Sequence, residues 1–365
     1  MYLCTFVFMK HKSFLSLIAI GLLTYIFPAN ICEACTSMIV GASASRSGRP
    51  LLWKNRDTGT EHNFVERIEG ENGKYSYVAL FNGGDSLLRE AWMGMNEKGF
   101  AIMNTASYNL APDTTDYKDR EGIVMSLALQ SCRTVDDFAN LLDTLPKPLG
   151  VQANFGVIDA LGSGAYFECD DYKYTVYSLK DSPDDVLIRT NYSFTGNDTD
   201  GYGYIRYDNA RYLTSEAVSD KDVTPELLTE GCSKSFYHSL FGKDMISDTT
   251  CHFVVDQDFI PRRSTSASVV IEGVNREEDA LDCIMWTVIG YPPVSHVRKV
   301  TINKVPEELR PLQKGWRSEA CNRTLEDKAK AFPIKRGSGP HYIDLDYLRR
   351  KIASERKLSE KEYTK

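Results

Sequence analysis

The stretch of sequence that decides the fold is residues 35–57, CTSMIVGASASRSGRPLLWKNRD. Residues 35–40 have the β-branched and apolar composition of a strand, and residues 43–50 are rich in small and turn-forming types. A second strand starts at Leu51 and runs into the polar sequence Lys-Asn-Arg-Asp. The stretch therefore predicts a β-hairpin that opens with Cys35 and closes at Asp57.

An export signal comes before this hairpin. Residues 10–12 (KHK) form a basic region, and residues 14–26 are an apolar stretch shorter than the ~20 residues of a membrane span. Cys32 and Ala34 suit positions −3 and −1 of a cleavage site. We expect residues 1–34 to be a signal peptide, with an uncleaved anchor as the alternative. Cleavage would leave Cys35 at the N-terminus of an exported protein, periplasmic or secreted, without a stable membrane span.

An N-terminal Cys35 would combine a thiol and an α-amine in one residue. The thiolate is the reactive form of cysteine, and an α-amine with a pKa near ~8 can accept the thiol proton at neutral pH. Such a nucleophile carries its own base, which suits a chain whose six histidines form no motif. The alternative is a cysteine that is only buried or disulfide-bonded.

The remaining chain alternates between two kinds of pattern. Short strands are expected first, then two helices, of which the second is capped by Thr134, and then strands again around a helical stretch. A hairpin turn at residues 96–99 needs Gly99 at positive φ. This order favours a layered α+β fold over a parallel βαβ sheet. Strands are predicted at residues 75–81, 90–95, 100–104, 154–158, 165–168, 174–177, 186–190, 252–256, 266–272 and 283–288, and helices at residues 122–132, 135–145 and 209–242.

The hairpin resembles the start of the acyl-coenzyme A:6-aminopenicillanic acid acyltransferase-like family, peptidase family C45. Its relatives are the choloylglycine hydrolases, penicillin V acylases and acid ceramidases. Members begin with Cys-Thr and continue with Arg-Asn-x-Asp, and the corresponding segment here is Lys54-Asn55-Arg56-Asp57. The resemblance implies that Asp57 holds the amine of Cys35. Lys54 keeps the charge of the family's arginine but lacks its planar fork. Arg56 is the alternative, although it is expected on the opposite face of the strand.

Five later segments continue the resemblance in the family's order. Residues 94–101 lead to Asn104, residues 154–168 are similar to a strand-turn-strand unit, and residues 187–191 end in Asn191. The resemblance implies that Asn191, and secondly Asn104, donate to the oxyanion. Both could instead be turn or edge-strand residues. Residues 263–270 and 285–292 resemble later segments, near which Arg262 or Arg263 could supply an arginine.

Composition excludes several other classes of function. The net charge is −7 and no long basic run occurs, so a nucleic-acid partner is not expected. Of nine cysteines, Cys4 and Cys32 would leave with the signal, so seven would remain and at least one would lack a partner within the chain. The six remaining cysteines other than Cys35 are scattered and contain no CxxC pair, which argues against a zinc site, and the expected chemistry requires neither a metal nor an organic cofactor.

The resemblance implies a four-layer αββα sandwich of two antiparallel sheets, the fold of N-terminal-nucleophile (Ntn) hydrolases. We divide the chain into the signal peptide (1–34), a catalytic domain (35–316) and a charged C-terminal tail expected to be helical (317–365). The implied reaction is cleavage of a linear N-acyl amide through a thioester on Cys35. The alternatives are an acyltransferase that passes the acyl group to an amine, and a non-enzymatic lipoprotein anchored at Cys35. A homo-oligomer is not excluded.

Overall fold

The computed structural model describes residues 35–112, 118–313 and 315–364, so the predicted signal peptide lies outside the described residues. The described residues belong to one compact unit, Glu33–Lys365. In chain order, the strands among the described residues are β1 (Thr36–Val40), β2 (Leu51–Asp57), β3 (Asn63–Ile68), β4 (Tyr77–Asn82), β5 (Ala91–Asn96), β6 (Ala101–Ala106), β7 (Ala153–Ile158), β8 (Gly164–Cys169), β9 (Tyr174–Ser178), β10 (Val186–Arg189), β11 (Tyr237–His238), β12 (Lys243–Asp244), β13 (Phe253–Val255), β14 (Thr265–Glu272), β15 (Ile284–Ile289), β16 (Arg298–Thr301), β17 (Ile334–Lys335) and β18 (His341–Asp344).

The helices have local sequence signals of their own. Helix α2 (Val135–Thr144) begins with a capping box. The Thr134 hydroxyl accepts the Asp137 N–H at 3.1 Å, and the Asp137 carboxylate accepts the Thr134 N–H at 3.2 Å. The predicted Thr134 cap is thus confirmed. The α-helices of the described chain are α1 (Glu121–Ser131), α2 (Val135–Thr144), α3 (Tyr204–Ser219), α4 (Glu319–Ala331) and α5 (Leu345–Tyr363), and a π-helix spans Leu227–Cys232.

Two large antiparallel sheets form the centre of the molecule. The first sheet has the strand order β10-β1-β2-β14-β15-β16, and the second runs β3 to β9 in sequence order. The predicted hairpin is therefore β1 paired with β2, with Thr36 opposite Asn55 and Val40 opposite Leu51. Every residue of both strands is buried, as expected of a sheet covered on both faces.

The sheets face one another across a shared apolar core. Alternation along β2 directs Leu52 into this core, with Met93 and Met103 of the second sheet, and directs Trp53 to the outer side. The structure therefore has the predicted sandwich of two antiparallel sheets at its centre.

Helices cover both outer faces and complete four layers. Helices α1 and α2 pack on the second sheet, where Phe138 of α2 contacts Phe155 and Phe167 edge to face. Helix α3 and the π-helix pack on the first sheet around Trp53. The αββα fold class predicted from the sequence is confirmed.

The C-terminal residues pack into this architecture. Ala320 and Cys321 of α4 join the apolar core between the sheets. Helix α5 covers a fourth apolar cluster that contains Phe236 and Tyr291, and its Tyr363 packs against Trp286 of β15. None of the described helices is both long and apolar enough to cross a membrane.

Some sequence-based expectations were wrong. The stretch predicted as helical at residues 209–242 contains the end of α3 and the π-helix, but its last part enters the β11–β12 hairpin, which turns at Gly242 with φ of +59°. Strands β3, β16, β17 and β18 were not predicted, and the last two lie in the C-terminal tail that was expected to be helical. Gly99 has φ of +74°, as its hairpin turn required. All seven described cysteines are free thiols.

Candidate active site

Cys35 lies directly before β1, which sits between β10 and β2 in the first sheet. The side chain is buried, and its Sγ lies 3.7 Å from the backbone oxygen of Asp57 at the end of β2. Burial raises the pKa of the Cys35 thiol, while the positive charge of Lys54 acts to lower it. The hairpin thus brings its first and last residues, Cys35 and Asp57, into contact.

The Asp57 carboxylate is buried and only half satisfied. Its Oδ1 accepts a hydrogen bond from the Thr265 hydroxyl at 2.5 Å, whereas its Oδ2 accepts none from the residues that the structure describes. The Nε of Arg262 lies 3.8 Å from that oxygen. Burial raises the pKa of Asp57 to about 6, although Arg262 and Arg206 act in the opposite direction. A second donor at Oδ2 would therefore be stabilising.

Lys54 and Asn104 form a pair between the two sheets. The buried Lys54 ammonium donates to Asn104 Oδ1 at 2.8 Å and to the Trp92 backbone oxygen at 3.1 Å. Asn104 lies in β6 of the second sheet. Because the lysine occupies the amide oxygen, the Asn104 side chain is oriented with its NH₂ group away from Lys54.

Arg206 binds the second asparagine, Asn191, as Lys54 binds Asn104, and it also contacts Cys35. Its Nη1 donates to the Cys35 backbone oxygen at 2.5 Å and to the Thr36 hydroxyl at 3.1 Å, and its Nη2 donates to Asn191 Oδ1 at 2.9 Å. Burial, then the charge of Arg262, lowers the pKa of Arg206 to about 10. One guanidinium thus joins Cys35 and Thr36 to the candidate oxyanion donor, Asn191.

The loop around Asn191 fits this arginine closely. Asn191 makes an isolated antiparallel bridge with Tyr202, and its Nδ2 donates to the Ala106 backbone oxygen at 2.8 Å. Gly203, with φ of +88°, is the residue before α3, and a Cβ there would come within 2.4 Å of Arg206 Nη2. A glycine is needed both for the backbone conformation and for the space that the guanidinium occupies.

The structure places the three sequence-based candidates for the family's arginine, Arg56, Arg262 and Arg263, in different surroundings. Arg56 donates to Asn63 and Asn82, at 2.8 Å in each case, and its guanidinium lies 5.0 Å from the Trp92 ring centre. The expectation that Arg56 points to the other face from Lys54 was wrong, since residues two apart in a strand share a face. Arg262 lies near Asp57, whereas the backbone N–H of Arg263 donates to Asp256.

Arg206 is the contact that sequence reasoning missed. It belongs to a segment, GYGYIR, that precedes the predicted helix and carries no charge pattern of its own. The usable signal was the pair of glycines, Gly201 and Gly203, which follow Asn191 and turn the chain into α3. Both have positive φ.

No group of three or more histidine, cysteine, aspartate or glutamate residues in the described part of the chain could hold a metal ion. The site is instead built from one thiol, one carboxylate, two amides and two cations. This donor set suits proton transfer and hydrogen bonding to an oxyanion.

Two facing antiparallel sheets, helices on both outer sides and a cysteine at the start of a central strand define the αββα class of Ntn hydrolases. The chain belongs to the acyl-coenzyme A:6-aminopenicillanic acid acyl-transferase family, whose model matches residues 46–241. Amide hydrolysis and acyl transfer are the reactions associated with this class. The matched region contains Lys54, Asp57, Asn104, Asn191 and Arg206, and begins after Cys35.

Solved structures with a similar fold include those of three proteins of low sequence identity. The chain is 14% identical to the Caenorhabditis elegans N-acylethanolamine-hydrolyzing acid amidase ortholog, over 68% of this chain and 96% of that one, with a TM-score of 0.42. It is 13% identical to a mutant of the conjugated bile acid hydrolase from Clostridium perfringens (74% and 93%, TM-score 0.45). It is 16% identical to the Agrobacterium tumefaciens penicillin V acylase (74% and 87%, TM-score 0.43). No curated protein sequence matches significantly.

Proposed function

We propose that the protein is an exported N-terminal-cysteine amidase that cleaves a linear N-acyl amide through a thioester on Cys35. Removal of residues 1–34 exposes the α-amine next to the thiol. The proposal combines the family, whose members transfer acyl groups, with the buried polar groups around Cys35.

The α-amine acts as the base for its own thiol. It accepts the thiol proton, and the thiolate attacks the carbonyl carbon of the amide. The amine leaves as the C–N bond breaks and takes a proton from the α-ammonium. Water then attacks the thioester, which releases the carboxylic acid and regenerates the thiol. Asp57 supports these proton transfers because its Oδ2, which makes no hydrogen bond within the described residues, can accept one from the α-ammonium.

Asn191 and Asn104 bind the oxyanion in this mechanism. Each amide oxygen accepts a hydrogen bond from a buried cation, Arg206 for Asn191 and Lys54 for Asn104. The cations therefore fix the rotamers of both amides before the substrate arrives. Preorganised donors of this kind contribute about 3–4 kcal/mol each to transition-state stabilisation in other enzymes.

The observation that carries the proposal is the convergence of these groups on one cysteine. The Asp57 backbone oxygen contacts the thiol, and Arg206 holds the backbone oxygen of Cys35. Burial raises the pKa of the Cys35 thiol, and the charge of Lys54 acts against that rise. A cysteine that served only packing would not need a carboxylate and two cations in a buried site, because burying charges is costly.

Acyl transfer to an amine is the second candidate, and the family's description favours it. The chemistry is the same up to the thioester, which an amine rather than water then resolves. The two candidates are separated by adding an amine acceptor to the reaction and measuring whether the N-acyl product replaces the free acid.

The test uses purified mature protein and a panel of N-acyl amides that vary in acyl chain and amine. We expect turnover that Cys35→Ser abolishes, together with a thioester adduct on Cys35 when hydrolysis is slowed by low temperature. Turnover that survives in Cys35→Ser and Cys35→Ala would refute the proposal. A lipid-sized mass increment on Cys35 would instead identify a lipoprotein.

A further inference from the structure

Helix α4 contacts the strand ends behind Asp57 through one face. Cys321, Thr324 and Lys328 are three, four and seven residues apart, so they share that face. The Cys321 thiol donates to the Glu61 backbone oxygen at 3.1 Å. A Cβ at Gly290 would lie 1.9 Å from Thr324 Oγ1, so the helix approaches the first sheet at a point where only glycine fits.

Lys328 is the last of the three residues on this face, and its charged ammonium group is buried. Its side chain is 6% exposed, and its Nζ lies 2.7 Å from Glu61 Oε1 and donates to the Thr265 backbone oxygen at 3.2 Å. The lysine therefore joins the segment after β2 to the first residue of β14. A buried ammonium is costly unless it is paired, so this contact constrains both segments.

Thr265 connects Lys328 to Asp57 in the candidate site. Its hydroxyl donates to Asp57 Oδ1 at 2.5 Å and accepts the backbone N–H of Arg262 at 2.9 Å. Thr265 lies opposite Asp57 in the pairing of β14 with β2, and the register shifts between Thr265 and Ala267. At this irregular end of the pairing, Lys328 adds a contact to Thr265 from outside the sheet.

We propose that Lys328 is a positioning residue, which holds the Thr265 backbone so that the Thr265 hydroxyl keeps the Asp57 carboxylate aligned with the amine of Cys35. The inference rests on the proposed function. Helix α4 lies outside residues 46–241, so this contact comes from a part of the chain that the family match does not cover.

The decisive variant is Lys328→Met, which keeps the apolar stem and removes the donor. Lys330→Met is the matched control, because Lys330 lies on the same helix with a side chain that is 60% exposed and pairs only with helix residue Asp327 among the described contacts. Misalignment of about 1 Å costs on the order of 10²-fold in rate, so we expect Lys328→Met to lower kcat by about 10-fold or more. KM and the activity of Lys330→Met should stay near wild type.

A double-mutant cycle tests the route through Thr265. If Lys328 acts through the Thr265 hydroxyl, Lys328→Met should cost little in a Thr265→Val background, whereas independent effects would add. A residue that only stabilises the fold would lower the melting temperature and leave kcat of the folded protein unchanged. If Lys328→Met does not fold, Glu61→Gln at the partly exposed partner replaces it, with a smaller fall in kcat expected.

A readout that does not need turnover separates this inference from the proposed function. The Asp57 carboxyl is followed by ¹³C NMR titration in wild type and Lys328→Met. Loss of the Lys328 charge and loss of the hydrogen bond from Thr265 both raise the Asp57 pKa, so the titration is repeated in a Thr265→Val background, where only the charge effect remains. The rise in the Asp57 pKa caused by Lys328→Met should be larger with Thr265 present than in that background, and an equal rise in both would overturn the inference. The titratable groups that face Asp57 are Cys35, Arg206, Asp256, Arg262, Tyr291 and Lys328, and they are the same in both proteins apart from the substitution.

The outcomes are distinct. A wild-type protein without Cys35-dependent turnover would refute the proposed function, and the Asp57 titration would still decide the role of Lys328. A Lys328→Met variant with wild-type kcat and an unchanged Asp57 pKa would overturn the inference. A lowered kcat that Lys330→Met also shows would overturn it too.

Discussion

The two asparagines of the candidate site are held by different parts of the molecule. Asn104 and its cation, Lys54, lie on neighbouring layers of the sandwich, in β6 and β2. Asn191 lies in a loop after β10, and its cation, Arg206, comes from the first turns of α3. We call these the sheet pair and the loop pair. Both use a cation to fix an amide, but only the sheet pair stands on regular strands.

The two pairs differ in what holds their side chains in place and in how many residues each cation contacts. Strand residues are fixed by the hydrogen bonds of their neighbours, so the sheet pair needs only one contact between Lys54 and Asn104. The loop pair is fixed by Arg206, which also holds Cys35 and Thr36. A change at Arg206 should therefore disturb both the proposed oxyanion donor, Asn191, and the proposed nucleophile, Cys35.

The largest effect is expected at the residue that both pairs serve. Cys35→Ser should lower kcat by about 10⁴-fold or more, because a hydroxyl at neutral pH is a far weaker nucleophile than a thiol. The melting temperature should change little. Cys251→Ser is the matched control, since Cys251 is a free, half-buried thiol remote in sequence from the site. Equal activity of both variants would remove Cys35 from the mechanism.

The asparagines test whether the two pairs share the oxyanion. Asn191→Ala and Asn104→Ala should each lower kcat by about 10²–10³-fold with little change in KM, because oxyanion donors act in the transition state. Kinetics and melting curves are measured on the same preparations. If one variant is stable and keeps its kcat, its pair has no part in the reaction and the comparison fails on that side.

Exchanging the cations sharpens the comparison. Lys54→Arg should retain activity and Lys54→Met should lose it, because one charged donor suffices for Asn104. Arg206→Lys should lower kcat by roughly 10–100-fold, since one ammonium cannot reproduce a fork that bonds Cys35, Thr36 and Asn191. If Arg206→Lys keeps activity as well as Lys54→Arg does, the loop pair does not need a guanidinium. If Lys54→Arg and Lys54→Met are equally active, the role of Lys54 passes to Arg56 or Arg262.

The smallest expected effect is a shift in the titration of Asp57. While Cys35 follows a peptide bond, burial raises the Asp57 pKa to about 6. The raised pKa favours protonated Asp57 in the folded state. Its contribution to stability is therefore complete below the unfolded pKa near 4 and is lost as pH rises through about 6. A freed α-ammonium nearby should lower the Asp57 pKa by at least about one unit.

This shift is measured by ¹³C NMR on the precursor and the mature chain, with Asp57→Asn to assign the signal. If Asp57 has the same pKa in the precursor and in the mature chain, the α-amine does not pair with Asp57.

Local patterns predicted the strands on which Lys54, Asp57 and Asn104 lie, because strand composition and turns are local signals. The assignment of these residues to a site came from the family resemblance, as did that of Asn191. Arg206 was missed because its approach to Cys35 depends on how α3 packs on the first sheet, which no local pattern encodes. Lys328 was missed for the same reason, on a helix far along the chain.

The measurement that tests the central claim most directly is the intact mass of the exported protein, combined with N-terminal sequencing. The account predicts a mature chain that begins at Cys35 with an unmodified α-amine. A few residues left before Cys35 would point to trimming that is still incomplete, and its completion should then depend on Cys35 itself. A stable N-terminus at any other residue, or a lipid on Cys35, would contradict the account, because the nucleophile would then lack its own base.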